Sequence, residues 1–554
     1  MMAGQPIIIL REGTERETGK SARQNNIAAA IAIADAVRST LGPRGMDKML
    51  VDSLGEVVVT NDGATILKEL EVEHPAAKML VEVAKTQDNE VGDGTTTAVI
   101  LAGELLKRAG ELADKNVHPT VIASGYKIAE DKAMEFLRDA AIPVKPDDTA
   151  MLKSVAGTAI TGKNVGGGND LLADLAVKAV RMVSEKGEHG YKVDTEDIKI
   201  EKKHGASVSE SEIISGFVID KERVHPRMPQ HIEDARIALV TQALEIKKTE
   251  VSSSIQIKDP SLIQKFLDQE DQTLKQMADE ITSADANVVV CEKGIADAVQ
   301  HYLAKAGIFA VQRAKKSDME KLARATGAKL AANTRDISKS DLGFAKSVEQ
   351  RKVSTEEMTF ITGCKNPKSV TVLLRGGTEH VVEELEAAFT DAMRVVAVAV
   401  EDGQIVAGGG SVETHLSMRL RDYSTSVGGR EQLAVEAFAT ALEYIPRTLA
   451  ENSGLDPVDL LLELKSKHSK GKEVCHDGIS VEDGKIRDML KAKVIEPLRV
   501  KKQAISSAAE VANMILRIDD VIASKKGGAP AGAPPGPGGM GGMGGMGGMP
   551  PGMM

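Results

Sequence analysis

The chain has 554 residues and a formal net charge of −11, from 70 Lys plus Arg against 81 Asp plus Glu. Trp is absent and there are only 8 Phe and 5 Tyr, so the cores must be built from Ala, Val, Ile, Leu and Met. That composition argues against aromatic stacking platforms for single-stranded nucleic acid, and the acidic balance argues against a general phosphate-backbone binder.

Three well-separated cysteines, Cys291, Cys364 and Cys475, give no CxxC pair and no even disulfide set, which points to a reducing compartment. No apolar run reaches the roughly 18 residues of a membrane helix, and MMAGQPIIIL lacks a basic leader, so a cytoplasmic protein is expected.

Along the chain, the Ala-rich segment from Asn25 to Leu41 reads as a helix that stops at Gly42-Pro43. MLVD (49–52) and EVVVT (56–60), joined by Ser53-Leu54-Gly55, read as a hairpin whose edge could pair with another chain. Two helices flank VGDGTTTAV between Pro75 and Lys115, and further helices extend to about Ala141. Strand-like runs follow from Val193 to Val240.

NVVVCEK, GIADAVQHYLAKA, IFAVQR and SDMEKLARATG then alternate strand and helix, the pattern of an α/β domain with a parallel element. Within that domain Asp259-Pro260 opens a helix with apolar residues at Ile263, Leu267, Leu274, Met277 and Ile281, a candidate projection. Helices return from Val381 to Ala399 and dominate Gln432 to Val521. The order implies a multidomain α and α/β protein, with an α/β domain inserted into a helical base made from both chain ends. In the segment 527–554 lie 13 of the 51 Gly, 6 of the 19 Pro and 6 of the 22 Met, a composition that cannot form a core and is expected to be a disordered tether.

The sharpest chemical signal is Gly92-Asp93-Gly94-Thr95-Thr96-Thr97, where a glycine turn opens a helix. Free first-turn N–H groups and Thr hydroxyls attract phosphate, and Asp93 beside them suits Mg2+; the plain alternative is a capped turn. Asp62 in TNDG could be no more than a helix cap. Asp391 lies mid-helix on an apolar face, where an unpaired carboxylate is costly, so a base, a ligand or a polar network is implied. Gly408-Gly409-Gly410 precedes a helix and would admit close backbone approach by a ligand. Gly157 to Lys163 matches GxxxxGK, but Asn164 replaces the required Ser or Thr and a helical pattern precedes it, so the P-loop fold is rejected while Lys163 stays a phosphate candidate. No HExxH, paired-ligand or GxSxG motif supports a zinc site or acyl transfer.

Taken in order, LGPRGMDKML, TNDGATIL, VGDGTTTAVILAGELL, AGGG, SGLDPVDLL and VIEPLRVKKQAI resemble a group II chaperonin of the thermosome type, from about Ile7 to Ala523. The resemblance implies a mostly helical equatorial ATPase domain (1–146 and 403–526) and a small intermediate hinge domain (147–215 and 368–402). It also implies an α/β apical domain (216–367) with a helical lid protrusion near 250–279. Under it, Thr40, Leu41, Gly42, Pro43, Gly94, Thr95, Thr96, Thr97, Gly409, Gly478, Ile479 and Glu496 would contact nucleotide, Glu496 at the ribose. Asp93 would hold Mg2+, Asp62 and Asp391 would flank the attacking water with Asp391 as base, and Lys163 would sense the terminal phosphate.

The implied function is an ATP-dependent chaperone using ATP and Mg2+, in which rings of self or paralogous subunits, two per particle and eight-fold in expectation, enclose non-native polypeptides. The Ser53-Leu54-Gly55 hairpin would pair with a neighbour's termini, through IIIL or MILRID. Neither nucleic acid nor membrane is an expected partner. The alternative is a metabolic small-molecule ATPase or kinase with an inserted α/β substrate domain.

Overall fold

The computed structural model describes residues 14–55, 57–163, 167–188, 190–246, 260–364, 370–469 and 475–524. The stretch 527–554, the segment IIIL and residues 250–259 of the expected protrusion lie outside them. The chain divides into two compact units, residues 1–25 with 518–554 and residues 26–517.

In the first unit the strands Thr14–Thr18 and Asp520–Ser524 pair antiparallel, with Thr14 opposite Ser524 and Thr18 opposite Asp520. Arg16 grips Asp520 through two nitrogens, Nε to Oδ1 at 3.0 Å and Nη2 to Oδ2 at 2.6 Å. The expected helix up to Val521 is therefore corrected, because the last helix ends at Leu516 and Asp520–Ser524 is a strand. Asp519 and Asp520 are poorly placed at a helix C-terminus, where the dipole disfavours anions, and Val521 and Ile522 prefer extended backbone.

The second unit holds three main apolar cores. The first is Ala-rich and helical, drawn from helices that include Pro75–Val91, Thr95–Asp114, Pro119–Asp139, Glu431–Leu442 and Leu498–Leu516. Fully buried Ala30, Ala84, Ala129, Ala439 and Ala508 let these helices approach closely, which is how the core closes with few aromatics. Its few large rings are well used, since Tyr126 meets Phe438 edge-on at 5.6 Å and donates its hydroxyl to Leu105 O at 2.7 Å.

The second core joins helices Thr149–Ile160, Asn169–Val183 and Glu379–Asp402 to a three-stranded sheet. In that sheet Val370–Gly376 lies between Ile198–His204, parallel, and Glu212–Ile214, antiparallel.

The third region is built on a seven-stranded sheet. Its order is Phe309–Val311, Val288–Cys291, His231–Val240, Gly343–Val353, Glu356–Cys364, Gly216–Ile219, and Leu330–Ala331 pairs with His231–Val240 off that path. The first three strands are parallel and the remainder of the path is antiparallel. The expected parallel α/β element is present; the long strands Gly343–Val353 and Glu356–Cys364 were not anticipated. Strand alternation sends Ile237, Leu239, Val288 and Val290 to one face and Ala238, Val240, Val289 and Cys291 to the other. Helix Lys316–Thr326 covers the first face, and helices Pro260–Ser283 and Asp297–Lys305 the second. In Pro260–Ser283, Leu274, Ala278 and Ile281 are buried, whereas Leu267 is exposed. The apolar stripe thus serves the sheet only through its C-terminal half.

A small antiparallel sheet, Ile142–Pro143, Gln404–Ala407 and Ile495–Pro497, stands between the first two cores. Ile405 contributes to the second core and its neighbour Val406 to the first. The hairpin Lys48–Val51 with Val57–Thr60 forms as expected, Val51 opposite Val57. It leaves Met49, Val51, Leu54, Val57 and Val59 exposed.

Candidate active site

A cavity of about 920 Å³ is walled by the loop after helix Gly19–Arg38, the turns at Asp62 and Asp93, the end of helix Thr149–Ile160, helix Glu379–Asp402 and the strand Ile495–Pro497. Thr40, Leu41, Gly42, Pro43, Asp62, Asp93, Gly94, Thr95, Thr96, Thr97, Lys163, Asp391, Gly409, Ile479 and Glu496 all line it. Gly478 does not. It is buried beside the wall, where a Cβ would lie 2.8 Å from Gly408 O and 2.6 Å from Met489 Cγ, so only a residue without a side chain packs there against the Gly408-Gly409 backbone.

The turn at Asp93 follows from sequence. Gly92 ends helix Pro75–Val91 and Gly94 opens helix Thr95–Asp114, both left-handed, at φ 72° and 78°. A Cβ on Gly94 would also lie 2.9 Å from Val500 Cγ1, so glycine is required there twice over. Asp93 between them accepts from Gly94 N at 2.6 Å, and its carbonyl accepts from the buried Gln87 Nε2 at 2.8 Å. The first-turn N–H groups beginning at Thr95 have no acceptor within the helix, and Thr95, Thr96 and Thr97 put the positive end of the helix dipole at the cavity wall.

Asp62 caps helix Gly63–Glu69, accepting from Thr65 N at 2.7 Å, so the cap reading holds, and it also lines the cavity. Lys163 sits at the turn closing helix Thr149–Ile160. That helix includes Gly157 to Ile160, which removes the P-loop geometry as expected. Lys163 Nζ forms an ion pair with Asp391 Oδ2, and Asn61 Nδ2 holds the adjacent Gly162 O at 2.6 Å.

Burial pushes the Asp391 carboxyl up to about 7; Lys163 works against the rise and Asp62 adds to it. Burial likewise raises Asp93. For Lys163 burial opposes the charge, but attraction by Asp391, Asp62 and Asp93 outweighs it and the ammonium is held above its ordinary value. Among the described residues no group of three His, Cys, Asp or Glu could cage a metal unaided. Gly409, at φ 63°, lies against Ile479, whose N–H donates to Gly409 O at 2.9 Å.

Residues 33–526 match the TCP-1/cpn60 chaperonin family. The thermosome subunit beta of Archaeoglobus fulgidus is 60% identical over 539 residues, 96% of this chain and 98% of that one. The chain belongs to the TCP-1/cpn60 chaperonin family. The thermosome subunit alpha of Thermoplasma acidophilum is 58% identical over 96% of this chain and 97% of its own length. An open-state group II chaperonin monomer from Methanococcoides burtonii matches with a TM-score of 0.61 and 48% identity, covering 77% of this chain and all of that one. These likenesses make the chain an archaeal-type group II chaperonin and an ATP-dependent molecular chaperone, and they do not favour the metabolic kinase alternative.

In this chaperonin Lys501, which lines the cavity, and Arg394, which does not, were passed over by sequence reasoning. Arg394 ties helix Glu379–Asp402 to Asp88, its Nη1 lying 3.1 Å from both the carbonyl and Oδ1. Lys501 stands between Glu413 and Glu496 at 2.8 Å from each. Arg394 follows Asp391 by three residues and was legible as its helical neighbour; Lys501 in VIEPLRVKKQAI carried no positional signal. No helix among the described residues is long and apolar enough to cross a membrane.

Proposed function

We propose that this chaperonin hydrolyses ATP with Mg2+ in the cavity and uses the cycle to open and close a chamber around non-native polypeptides in the cytoplasm. The observation that carries the reading is the convergence of Asp62, Asp93, the Thr95 helix terminus, Lys163 and Asp391 on one cavity, with Lys163 and Asp391 already paired across it. The equatorial domain is 1–146 with 403–526, the intermediate domain 147–215 with 368–402, and the apical domain 216–367 with its lid protrusion near 250–279. The three apolar cores support that division.

Backbone N–H groups and hydroxyls of Gly94 to Thr97 receive the phosphates, Thr40 to Pro43 and Gly409 with Ile479 border the nucleoside, and Glu496 accepts from the ribose. A single carboxylate, Asp93, beside a phosphate cradle fits Mg2+, which takes one or two protein carboxylates and completes its shell with phosphate and water oxygens. Bound there, Mg2+ would supply charge neutralisation on the phosphates. Asp62 and Asp391 orient water for in-line attack and Asp391 takes its proton, chemistry in which positioning does most of the work.

Lys163 and Asp391 both belong to the intermediate domain in this division, and Asp62 and Asp93 to the equatorial one. Terminal phosphate draws Lys163 away from Asp391 and frees the base, so hydrolysis follows closure of the intermediate domain.

Subunits form two rings, eight-fold in expectation. The exposed apolar hairpin 48–60 offers an edge to a neighbour's strands Thr14–Thr18 and Asp520–Ser524 rather than to the helical MILR segment. Electron micrographs of the purified protein with Mg-ATP test the assembly. Two stacked rings are expected, and a monomer or small oligomer at working concentration would contradict it.

A further inference from the structure

Glu413, Lys501 and Glu496 form a buried charge cluster at one end of the cavity. Their side chains are 3%, 8% and 18% exposed, and the Lys501 ammonium is 2.8 Å from Glu413 Oε1 and 2.8 Å from Glu496 Oε2. The three come from separate elements, helix Ser411–Ser424, helix Leu498–Leu516 and strand Ile495–Pro497. Glu496 and Lys501 line the cavity; Glu413 lies behind them. Among the described residues Glu413 has no ion pair other than that with Lys501.

Burying three charges is costly where apolar residues would pack as well, so the cluster calls for a role beyond stability. A lone lysine beside a phosphate cradle would turn toward the phosphates. Glu413 behind it holds the ammonium back and aligns it on Glu496. Burial raises the Glu496 carboxyl, Lys501 opposes that rise, and Glu413 reinforces it. With Lys501 removed, two buried carboxylates would share the space, one would take up a proton, and Glu496 would become a weaker acceptor.

We propose that Lys501, anchored from behind by Glu413, is a positioning residue that holds Glu496 ionised and oriented to accept from the nucleotide ribose. Through Glu496 it sets the preference for ribonucleotides over deoxyribonucleotides. The proposal rests on the ribose assignment of Glu496.

The test compares equilibrium binding of ADP, 2′-deoxy-ADP and 3′-deoxy-ADP to the assembled full-length protein, beside steady-state kinetics with the matching triphosphates. Loss of a hydrogen bond to a charged acceptor should weaken at least one deoxy analogue about tenfold in the unaltered protein. Lys501→Met should reduce that ratio to about twofold or less, with the change in KM exceeding that in kcat. Lys501→Arg should keep the ratio. If Lys501→Met fails to assemble, Glu413→Gln with Lys501→Gln, which removes one charge of each sign, should give the same collapse. A full ratio in either lysine-lacking variant overturns the positioning role while leaving the ribose assignment intact. Equal binding of all three nucleotides by the unaltered protein overturns the ribose assignment and this proposal with it.

Discussion

An aspartate in the middle of an apolar helix face is a poor helix former and an expensive one to bury, and Asp391 pays for its place by meeting Lys163 across the cavity. Its carboxyl stands at about 7, chiefly because burial disfavours the anion. A general base works only when ionised, so acid removes activity and alkali restores it. Drawing Lys163 to a phosphate takes away a cation that lowers this value, which places the midpoint at or above 7. Single-turnover hydrolysis by the assembled protein should therefore rise with pH through neutrality, the rate at pH 6 being at most about one-tenth of the plateau. A rate flat from about pH 6 to 8 would contradict the assignment. Asp62 caps a helix and lines the cavity at once, since Oδ2 holds Thr65 N at the cavity wall.

At the scale of elements, legibility tracked local physics. Helix Thr95–Asp114 and the hairpin 48–60 were readable because glycine turns and apolar periodicity mark their ends locally. The strand Asp520–Ser524 and the strands from 343 to 364 were not, because their identity comes from pairing with Thr14–Thr18, His231–Val240 and Gly216–Ile219, distant in sequence. For the same reason the glycine turn that opens helix Thr95–Asp114 was legible from GDGTTT alone, while the Glu413–Lys501–Glu496 cluster, assembled from three elements, was not. The hairpin carries the sharpest prediction at this scale. Met49 is 70% exposed, so Met49→Lys removes no core contact and should change the unfolding free energy by about 0.5 kcal/mol or less. Charge on the pairing edge should nonetheless abolish ring assembly, read by size-exclusion chromatography with light scattering. Intact rings would remove the hairpin from the interface.

For the whole molecule, the arrangement makes hydrolysis report on conformation. In the proposed function the phosphate-binding groups and the base lie on different segments, and the pairing of Lys163 with Asp391 would keep the base engaged until a phosphate competes for the ammonium. On that proposal opening and closing would be tied to nucleotide state with few moving parts, and broad client binding would follow from apolar contact, which is non-directional. Single-turnover hydrolysis of Mg-ATP by Asp391→Ala, with bound nucleotide measured in parallel, tests the central claim most directly. Assembled rings that bind ATP within a few-fold of the unaltered protein and hydrolyse it at least about a hundredfold more slowly are predicted. Near-normal turnover by those rings would contradict it.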